Sequence, residues 1–386
     1  MRKSYLVILF CLVSLCSLAA EPLKIGLFNG QSFSRAGITI VKGTISVYAD
    51  GEMIGQLNSG GHADISSIGA GVSIVFNGST KSGFKKITLD GGAFSQFKIQ
   101  PVGSKANTRI YEGKLIAVQA PSRLQLIGLL PVEKYVSGVI EAEGGSNHHI
   151  EYYKVQAIIS RTYACANLRR HEAEGFSVCD GTHCQVYHGI ARHTPDAVVA
   201  TQETEDMVIV DHNIDLITAA FHSNCGGHTV NAEDVWSKPL SYCVGRADTF
   251  CLVMPHSNWE KSVPKNQWTD YLESKRYPLT DSSYTSALAY FPSEKQTYFV
   301  DSTLKIPTKL IRQDFKLKSA YFTVHQHGED VTFIGQGFGH GVGLCQEGAM
   351  RMATLGYPYS EIIHFYYKDV HLIPLRFISF FKEDVP

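Results

Sequence analysis

Glu143 is the residue of this sequence whose type and surroundings first indicate chemistry. It ends an apolar segment with several acids, residues 130–143, and two glycines that break any regular pattern follow it. Lys154 and Arg161 lie seven residues apart, so two helical turns would put both cations on one face. A carboxylic acid near cations, beside glycines that let a ligand approach, is a candidate for acid/base catalysis. The alternative from these residues alone is a solvated acid in a surface turn.

The elements that position Glu143 follow from the spacing of the apolar residues. Ser146 or Asn147 can cap a helix, because a short oxygen side chain accepts from the free amides of the first turn. Apolar side chains then recur at helical spacing through residues 150–168. The sequence therefore predicts that Glu143 sits in a bend just before a helix that carries Lys154 and Arg161.

A second group of chemically active side chains follows this helix. Cys179 and Cys184 are separated by four residues, with His183 between them and His171 upstream. Thiolates and imidazoles at such spacing can hold zinc tetrahedrally, with Cys179, Cys184 and His171 as the predicted ligands. A disulfide between the two cysteines and a pair of free thiols are the alternatives.

Other cysteines leave further pairings open. Seven of the nine cysteines lie beyond the first 20 residues, and an odd number leaves at least one free, metal-bound or paired between chains. Cys225 could join the metal site, and Cys243 could form a disulfide with Cys251 that closes a small loop.

Two glycine-rich stretches suggest other chemistry that the residues do not support. His222 and Ser223 could suggest a serine nucleophile, but adjacent strand residues point to opposite faces and no third residue orients the pair. The block around His340 and Gln346 could suggest a nucleotide loop, but its glycines fit no phosphate-binding register and no Gly-Lys-Ser/Thr follows. The first stretch is better explained as a substrate-binding turn whose glycines let a ligand approach the backbone. The glycines of the second are better explained as allowing tight packing that presents His340 and Gln346 to a groove.

Taken together, these motifs resemble the core of the stage II sporulation protein D family, which comprises peptidoglycan lytic transglycosylases and related amidase modifiers. The matching residues fall in four blocks, which are LLPVEKYVSGVIEAE with YYKVQAIISRTYA, then QVYHG, HSNCGGHT, and GQGFGHGVGLCQEGA with the helix after it. The sequence departs from the pattern at Gly144–Gly145, where a Met and a small residue are usual, at Cys345, where Ser is usual, and at Glu347.

The resemblance implies roles for individual residues. It makes Glu143 the catalytic acid, and it indicates a structural zinc at the Cys179–Cys184 loop in some members. Lys154 and Arg161 are assigned to structural bonds or to sugar and lactyl contacts. The full set of predicted substrate-binding residues is Lys154, Arg161, Tyr163, Gln185, Tyr187, His222, Ser223, His340 and Gln346.

The implied reaction is cleavage of the MurNAc–GlcNAc β-1,4 bond with a 1,6-anhydroMurNAc end, on glycan strands stripped of stem peptides. It uses one acid, whose pKa must be raised by burial, and it requires no cofactor. Glu141 offers an alternative, because in an extended chain it would share a face with Glu143 and form a hydrolase pair. A different class of function is a glycan-binding protein that recruits or stimulates a cell-wall amidase without catalysis.

The fold expected is α+β, with a β-rich N-terminal region at 21–110 and a mixed catalytic core at 111–374 before a tail at 375–386. Hairpin signals such as Asp50-Gly51 and Asn77-Gly78 separate short alternating runs in the first region. Residues 260–305 are polar and are predicted to form a variable excursion without function.

Composition limits the partners and the location. The 386 residues include 35 basic and 36 acidic ones, so no basic excess attracts nucleic acid or an anionic membrane. Residues 1–20 combine a basic start, an apolar stretch and small residues, which is typical of a signal peptide. The protein is therefore expected to be exported to the periplasm or cell envelope, with membrane attachment only through an uncleaved N-terminal segment.

Overall fold

The computed structural model describes residues 22–236, 238–300 and 306–383, so the predicted signal peptide lies outside the described residues. The strands are β1 Leu23–Leu27, β2 Arg35–Lys42, β3 Thr44–Ala49, β4 Glu52–Asn58, β5 His62–Ile68, β6 Gly71–Phe76, β7 Ser79–Phe84, β8 Lys86–Asp90, β9 Gln96–Val102, β10 Arg109–Glu112, β11 Lys114–Ala120, β12 Arg123–Leu130, β13 Val178–Cys179, β14 Met207–Val210, β15 Phe221–His222, β16 Asn258–Pro264, β17 Ala289–Tyr290, β18 Phe322–His327, β19 Asp330–Gln336, β20 Leu344–Cys345 and β21 His371–Pro374. The helices are α1 Val132–Gly144, α2 Ile150–Ala166, α3 Pro195–Glu203, α4 Ala232–Trp236, α5 Lys265–Ser274, α6 Asp281–Leu288, α7 Thr308–Asp314, α8 Gln346–Thr354, α9 Tyr359–Tyr366 and α10 Ile378–Glu383. This arrangement confirms the α+β class.

Two packed sheets form the N-terminal part of the molecule. One has the order β13-β1-β12-β11-β8-β3-β4 and the other β10-β9-β2-β5-β6-β7. Alternate residues of most of these strands are buried in one continuous core between the sheets, as the period of two predicts. The β-rich region therefore extends to Leu130 rather than ending at residue 110, which lies within β10.

The hairpin turns are where the sequence indicates them. Asp50 and Gly51 both have positive φ between β3 and β4, and Asn77 and Gly78 both have positive φ between β6 and β7. Such turns match the right-handed twist of the flanking strands and are dominated by Asn-Gly and Asp-Gly pairs. Local sequence alone therefore fixes these two connections.

A helical layer follows the sandwich and carries most of the functional motifs. The long helix α2 packs against α1, α3, α8 and α9. The strand β13 pairs in parallel with β1, so the loop after α2 is hydrogen-bonded to the start of the N-terminal sheet. Two further short pairs, β14 with β21 and β15 with β20, join distant parts of the chain.

Residues 258–300 and 306–336 form a subdomain with a core of its own. The four-stranded sheet β16-β19-β18-β17 packs with α5 around Trp268, which is fully buried. The predicted polar excursion at 260–305 is therefore largely folded, and its aromatic residues supply this second core. The subdomain leads directly into the glycine-rich loop that follows β19.

Among the helices of the described residues, none is long and apolar enough to cross a membrane.

Candidate active site

One groove, with a volume of about 610 Å³, contains the side chains that could carry out chemistry. Its walls come from the end of α1, from α2, from the loops after β13 and β19, from the stretch that ends in β15, and from α7 and α8. The predicted site residues that line it are Glu143, Tyr163, His222, Ser223, His340 and Gln346. The structure thus brings together six predicted residues that span 204 positions of the sequence, counting from 143 to 346.

Glu143 lies in the last turn of α1 rather than in a bend before a helix. The helix ends at Gly144, and the next residue, Gly145, has a φ of 70°. The Val186 amide donates a hydrogen bond to the carboxylate Oε1 at 2.6 Å, and Gln346 Nε2 donates to the Glu143 carbonyl oxygen at 3.4 Å. Burial raises the pKa of the Glu143 carboxyl, and the bond from Val186 opposes that shift.

Glu141 has a structural role elsewhere. Its Oε2 accepts hydrogen bonds from the amides of Arg192, His193 and Thr194 at 2.6–2.9 Å, just before α3. Because α1 is a helix, residues two apart point in very different directions, unlike those of an extended chain. Glu141 does not line the groove, so the structure contradicts a Glu141–Glu143 pair.

Two neutral histidines face each other across the groove wall. The rings of His222 and His340 are 5.4 Å apart. Burial lowers the pKa of His222 and lowers that of His340 to about 4. His222 Nδ1 donates to the Val342 carbonyl oxygen at 3.1 Å, while its Nε2 has no hydrogen-bond partner among the described residues. That nitrogen can accept a hydrogen bond from a ligand hydroxyl.

Four predicted substrate-binding residues lie outside the groove. Arg161 is fully buried and binds both carboxylate oxygens of Glu133, at 2.6 and 2.8 Å. Lys154 pairs with Glu151 at 2.8 Å and Glu203 at 2.9 Å. Neither cation lines the groove, and these ion pairs agree with the assignment of both residues to structural bonds rather than to sugar and lactyl contacts.

Gln185 and Tyr187 are the other two, and both are fully buried in the core. Tyr135 donates a hydrogen bond to Gln185 Oε1, and the Tyr187 ring lies between those of Tyr111 and Tyr135. The contribution of this segment to the groove comes instead from the Val186 amide between them. The two side chains hold that amide in place rather than binding a ligand.

The groove also contains residues that the sequence did not predict. Trp236 and Phe338 are 40% and 38% exposed, so both present aromatic surface at the groove. Arg312 and Arg170 add positive charge. In the sequence, these aromatic residues resemble any other apolar residue and these arginines resemble any surface cation. Only the tertiary fold identifies the four as groove residues.

A cluster of four potential metal ligands, the outer cluster, borders the groove. It consists of His171, Cys179, His183 and Cys184, whose ligand atoms all lie within 4.8 Å of one another. His171 Nε2 is 3.4 Å from Cys184 Sγ, and its Nδ1 is hydrogen-bonded to the Glu174 carboxylate. Two imidazoles and two thiolates, one imidazole oriented by a carboxylate, fit tetrahedral zinc. His183 is a fourth donor that the predicted ligand set omitted.

The other cysteine pairings proposed from the sequence do not occur. Cys179 and Cys184 are free thiols, as are Cys243 and Cys251. Cys251 lies instead 3.4 Å from Cys225, so Cys225 does not join the outer cluster. The two predicted disulfides are therefore absent from the structure.

The fold and the groove define an α+β protein with one carboxylic acid in a cleft beside a glycine-rich loop. Residues 120–210, which include α1, α2 and the outer cluster, match the family model described as Stage II sporulation protein. The resemblance to the stage II sporulation protein D family is therefore confirmed for this segment of the chain.

Relatives extend the similarity beyond that domain. An uncharacterized protein of Brachyspira hyodysenteriae is 28% identical over 280 residues, which cover 72% of this chain and 75% of the relative. The stage II sporulation protein D of Bacillus subtilis is 28% identical over 64% of this chain and 76% of its own length. The amidase enhancer of Bacillus subtilis is 29% identical over 61% of this chain, but only 40% of that protein is covered.

Proposed function

We propose that this protein is a peptidoglycan lytic transglycosylase that cleaves the MurNAc–GlcNAc β-1,4 bond and leaves 1,6-anhydroMurNAc ends. The family and the relative named amidase enhancer support a role connected with the cell wall. The preference proposed is for strands without stem peptides.

The observation that carries the proposal is the set of acids in the groove. Of the described residues that line it, Glu143 is the only Asp or Glu. Most glycosidases use two carboxylates, one as acid and one as base or nucleophile. A lone acid whose pKa is raised by burial suits a reaction in which the substrate supplies its own nucleophile.

In this mechanism, protonated Glu143 gives its proton to the leaving O4 of GlcNAc as the bond between MurNAc C1 and that oxygen breaks. The resulting carboxylate then accepts the proton of the MurNAc C6 hydroxyl, whose oxygen attacks C1. The C6–O–C1 bond closes the anhydro ring, no water is consumed, and Glu143 ends protonated again. One carboxyl group therefore acts first as general acid and then as general base.

The rest of the groove supplies contacts suited to a glycan. Trp236 and Phe338 offer aromatic faces to the apolar sides of sugar rings. The free Nε2 of His222 can bind a hydroxyl group. Arg312 forms no ion pair with a carboxylate among the described residues, so it can bind the lactyl carboxylate that a stripped MurNAc exposes.

The outer cluster would hold a structural zinc through His171, Cys179, His183 and Cys184. Bound there, zinc would supply rigidity rather than a reaction step, since four protein ligands leave no open position for water. Cys179 lies in β13, which pairs with β1, and His183 and Cys184 line the groove, so the ion would fix the groove wall to the N-terminal sheet.

The test is to incubate the purified protein with defined glycan strands, with and without stem peptides, and to analyse the products by mass spectrometry. Anhydromuramoyl ends are expected from the wild type and should fall by orders of magnitude in Glu143→Gln, which keeps the shape but loses the titrating proton. Glu141→Gln is the matched control from the same helix, and it should keep most of the activity. Anhydro ends from Glu143→Gln protein, or reducing ends from the wild type, would refute the mechanism.

A second candidate is stimulation of a cell-wall amidase without catalysis, which the relative named amidase enhancer favours. The same strands distinguish the two functions, because a pure enhancer leaves them uncut by itself and accelerates an added amidase. An enhancer would also keep that effect in Glu143→Gln protein. We propose in either case that the protein acts in the cell envelope, where the substrate is.

A further inference from the structure

A second cluster of potential metal ligands, the inner cluster, lies in the core behind the groove. It consists of Cys225, Asp248, Cys251 and Cys345, and all four residues are buried. Their ligand atoms lie within 4.8 Å of one another, as those of the outer cluster do. Cys225 Sγ is 3.4 Å from Cys251 Sγ and 3.3 Å from Asp248 Oδ2.

Asp248 is the first sign that a cation belongs here. It is 0% exposed, and in the described chain it forms no ion pair with Lys, Arg or His. Its carboxylate accepts hydrogen bonds from the Tyr366 hydroxyl at 2.9 Å and from the Phe250 amide at 3.0 Å. These two donors and the Cys225 thiol are all neutral. Neutral donors do not replace the hydration of a buried carboxylate, and buried charges in proteins are usually paired or coordinate metals.

The backbone around the sulfur atoms is the second sign. Cys345 Sγ accepts hydrogen bonds from the amides of Cys225 at 3.2 Å and Gly348 at 3.4 Å. Cys251 Sγ accepts one from the Gly227 amide at 3.4 Å. Amide donors stabilise the thiolate over the thiol, and the thiolate is the form that binds metals.

The space around the carboxylate is kept open by a glycine. A Cβ at Gly348 would lie 2.1 Å from the Tyr366 hydroxyl oxygen and 2.5 Å from Asp248 Oδ2. Lys295 lies at the edge of the cluster, where its ammonium donates to the carbonyl oxygens of Cys225 and His228. Four anionic ligands around a divalent ion would leave excess negative charge, and the positive charge of Lys295 offsets part of it.

We propose that the inner cluster binds a structural zinc ion through the thiolates of Cys225, Cys251 and Cys345 and the carboxylate of Asp248. Soft thiolate ligands favour zinc over magnesium or calcium, and zinc accepts a carboxylate as its fourth ligand. Zn–S bonds of about 2.3 Å in a tetrahedron put sulfur atoms roughly 3.8 Å apart, close to the observed separation. A closed, fully buried site of four protein ligands is structural.

The site would stabilise the groove from behind. Cys225 follows the groove residue Ser223 by two positions, and Cys345 directly precedes Gln346, whose side chain binds the Glu143 carbonyl oxygen. The ion would thus join the turn after β15 to the start of α8. A disulfide between Cys225 and Cys251 would use two of the sulfurs and leave Cys345 and Asp248 buried without a cation.

The experiment measures zinc in full-length protein purified without added metal, in a Cys179→Ser/Cys184→Ser background that disables the outer cluster. We expect about one zinc per chain in this background. Adding Cys345→Ser, the residue usual in the family, should remove it, whereas adding Cys243→Ser should not. After exchange with cobalt, the background protein should show sulfur-to-cobalt charge transfer that Cys345→Ser weakens or abolishes.

A folded background protein without zinc or a cobalt signal would overturn the proposal. Peptide mapping that finds a Cys225–Cys251 disulfide in the protein as purified would also overturn it. The wild type gives a test that needs no variant, because cadmium-exchanged protein should show two cadmium NMR resonances, the more deshielded from the ligand set with three thiolates. A spectrum without that resonance refutes the inner site whether or not the protein cleaves glycans.

Discussion

At the scale of single residues, the proton of Glu143 connects reactivity with stability. Burial raises the pKa of its carboxyl above the ordinary value of 4.5. The folded state therefore binds this proton more tightly than the unfolded state does. The stabilising effect is complete below the unfolded pKa and is lost as pH rises through the folded pKa.

Glu143→Gln should for this reason unfold at a higher temperature than the wild type at neutral and alkaline pH. Below about pH 4, the Glu143 carboxyl is protonated in both the folded and the unfolded protein. The difference in unfolding temperature should therefore shrink toward zero. Thermal unfolding of both proteins across this pH range checks the prediction. A Gln variant that is less stable at pH 8 than the wild type would show that Glu143 is not penalised by burial.

The outer cluster provides a second prediction at this scale. Glu174 orients His171 through a hydrogen bond to Nδ1, and partners of this kind typically account for 10–100-fold in metal affinity. Glu174→Gln should weaken zinc binding to that degree in competition with a chromophoric chelator. Glu172→Gln, in the same exposed turn, should leave the affinity unchanged. Equal affinities for both variants would contradict a zinc site that uses His171.

The residues show clearly where sequence reasoning succeeds and where it stops. The family pattern correctly singled out Glu143, His222, His340 and Gln346 as groove residues. Helical spacing put Lys154 and Arg161 on one side of α2 but could not say what that side meets. It meets Glu133 and Glu203, acids that lie 28 and 49 residues from their partners in the sequence.

At the scale of elements, the position of Glu143 depends on how closely α1 approaches the loop after β13. Gly138 allows this contact, because a Cβ there would lie 2.2 Å from the Gly189 carbonyl oxygen and 2.5 Å from the Tyr187 ring. The same loop carries the Val186 amide that binds the Glu143 carboxylate. Close packing of the helix and the carboxylate contact are therefore parts of one arrangement.

Gly138→Ala should destabilise the protein by roughly 1–3 kcal/mol, since backbone atoms cannot yield to the added methyl group. Gly144→Ala is the control in the same helix, because its Cβ would meet Tyr152 at an ordinary 3.4 Å. That variant should change stability little. Chemical denaturation of the two variants measures the difference, and similar free energies of unfolding would refute the close approach.

The elements were predictable to different degrees for physical reasons. Turn chemistry at Asp50-Gly51 and Asn77-Gly78 is local, so the sequence predicted both hairpins. The end of α1 is also local, yet the Gly144-Gly145 pair predicts a bend at Glu143, whereas the helix continues through Gly144 before it ends. The subdomain of β16 to β19 was not predicted, because the polar residues on its surface hide the pattern of the aliphatic and aromatic residues that form its core.

At the scale of the whole molecule, an ion pair joins the sandwich to the helical layer. Arg109 of β10 binds Asp180, just after β13, at 2.6 Å, and Asp180 is 4% exposed. Asp180 also accepts from the amides of Phe28 and Asn29 at the end of β1. The pair therefore lies where the outer cluster, the N-terminal sheet and the groove loop meet.

Arg109→Met should cost roughly 3–5 kcal/mol of folding free energy, because it leaves a buried carboxylate without its cation. Arg35→Met removes the surface cation that pairs with Asp64 and should cost much less, because solvent screens an exposed ion pair. Urea unfolding of both variants gives the comparison. If the two losses were equal, Asp180 would not depend on Arg109, and the junction would be held by its amide contacts alone.

The bond between Gln346 and the Glu143 carbonyl joins positions 203 residues apart. The pairing of β15 with β20 joins Phe221 to Leu344, which is also a distant contact. Such distant contacts form late, because the entropy lost in closing a long loop precedes any gain from the contact. A ribosome has therefore made the acid and most of the chain before it makes the loop of His340. Under the proposed function, the nascent chain would therefore be inactive during synthesis, since the groove is completed only when the chain is nearly finished.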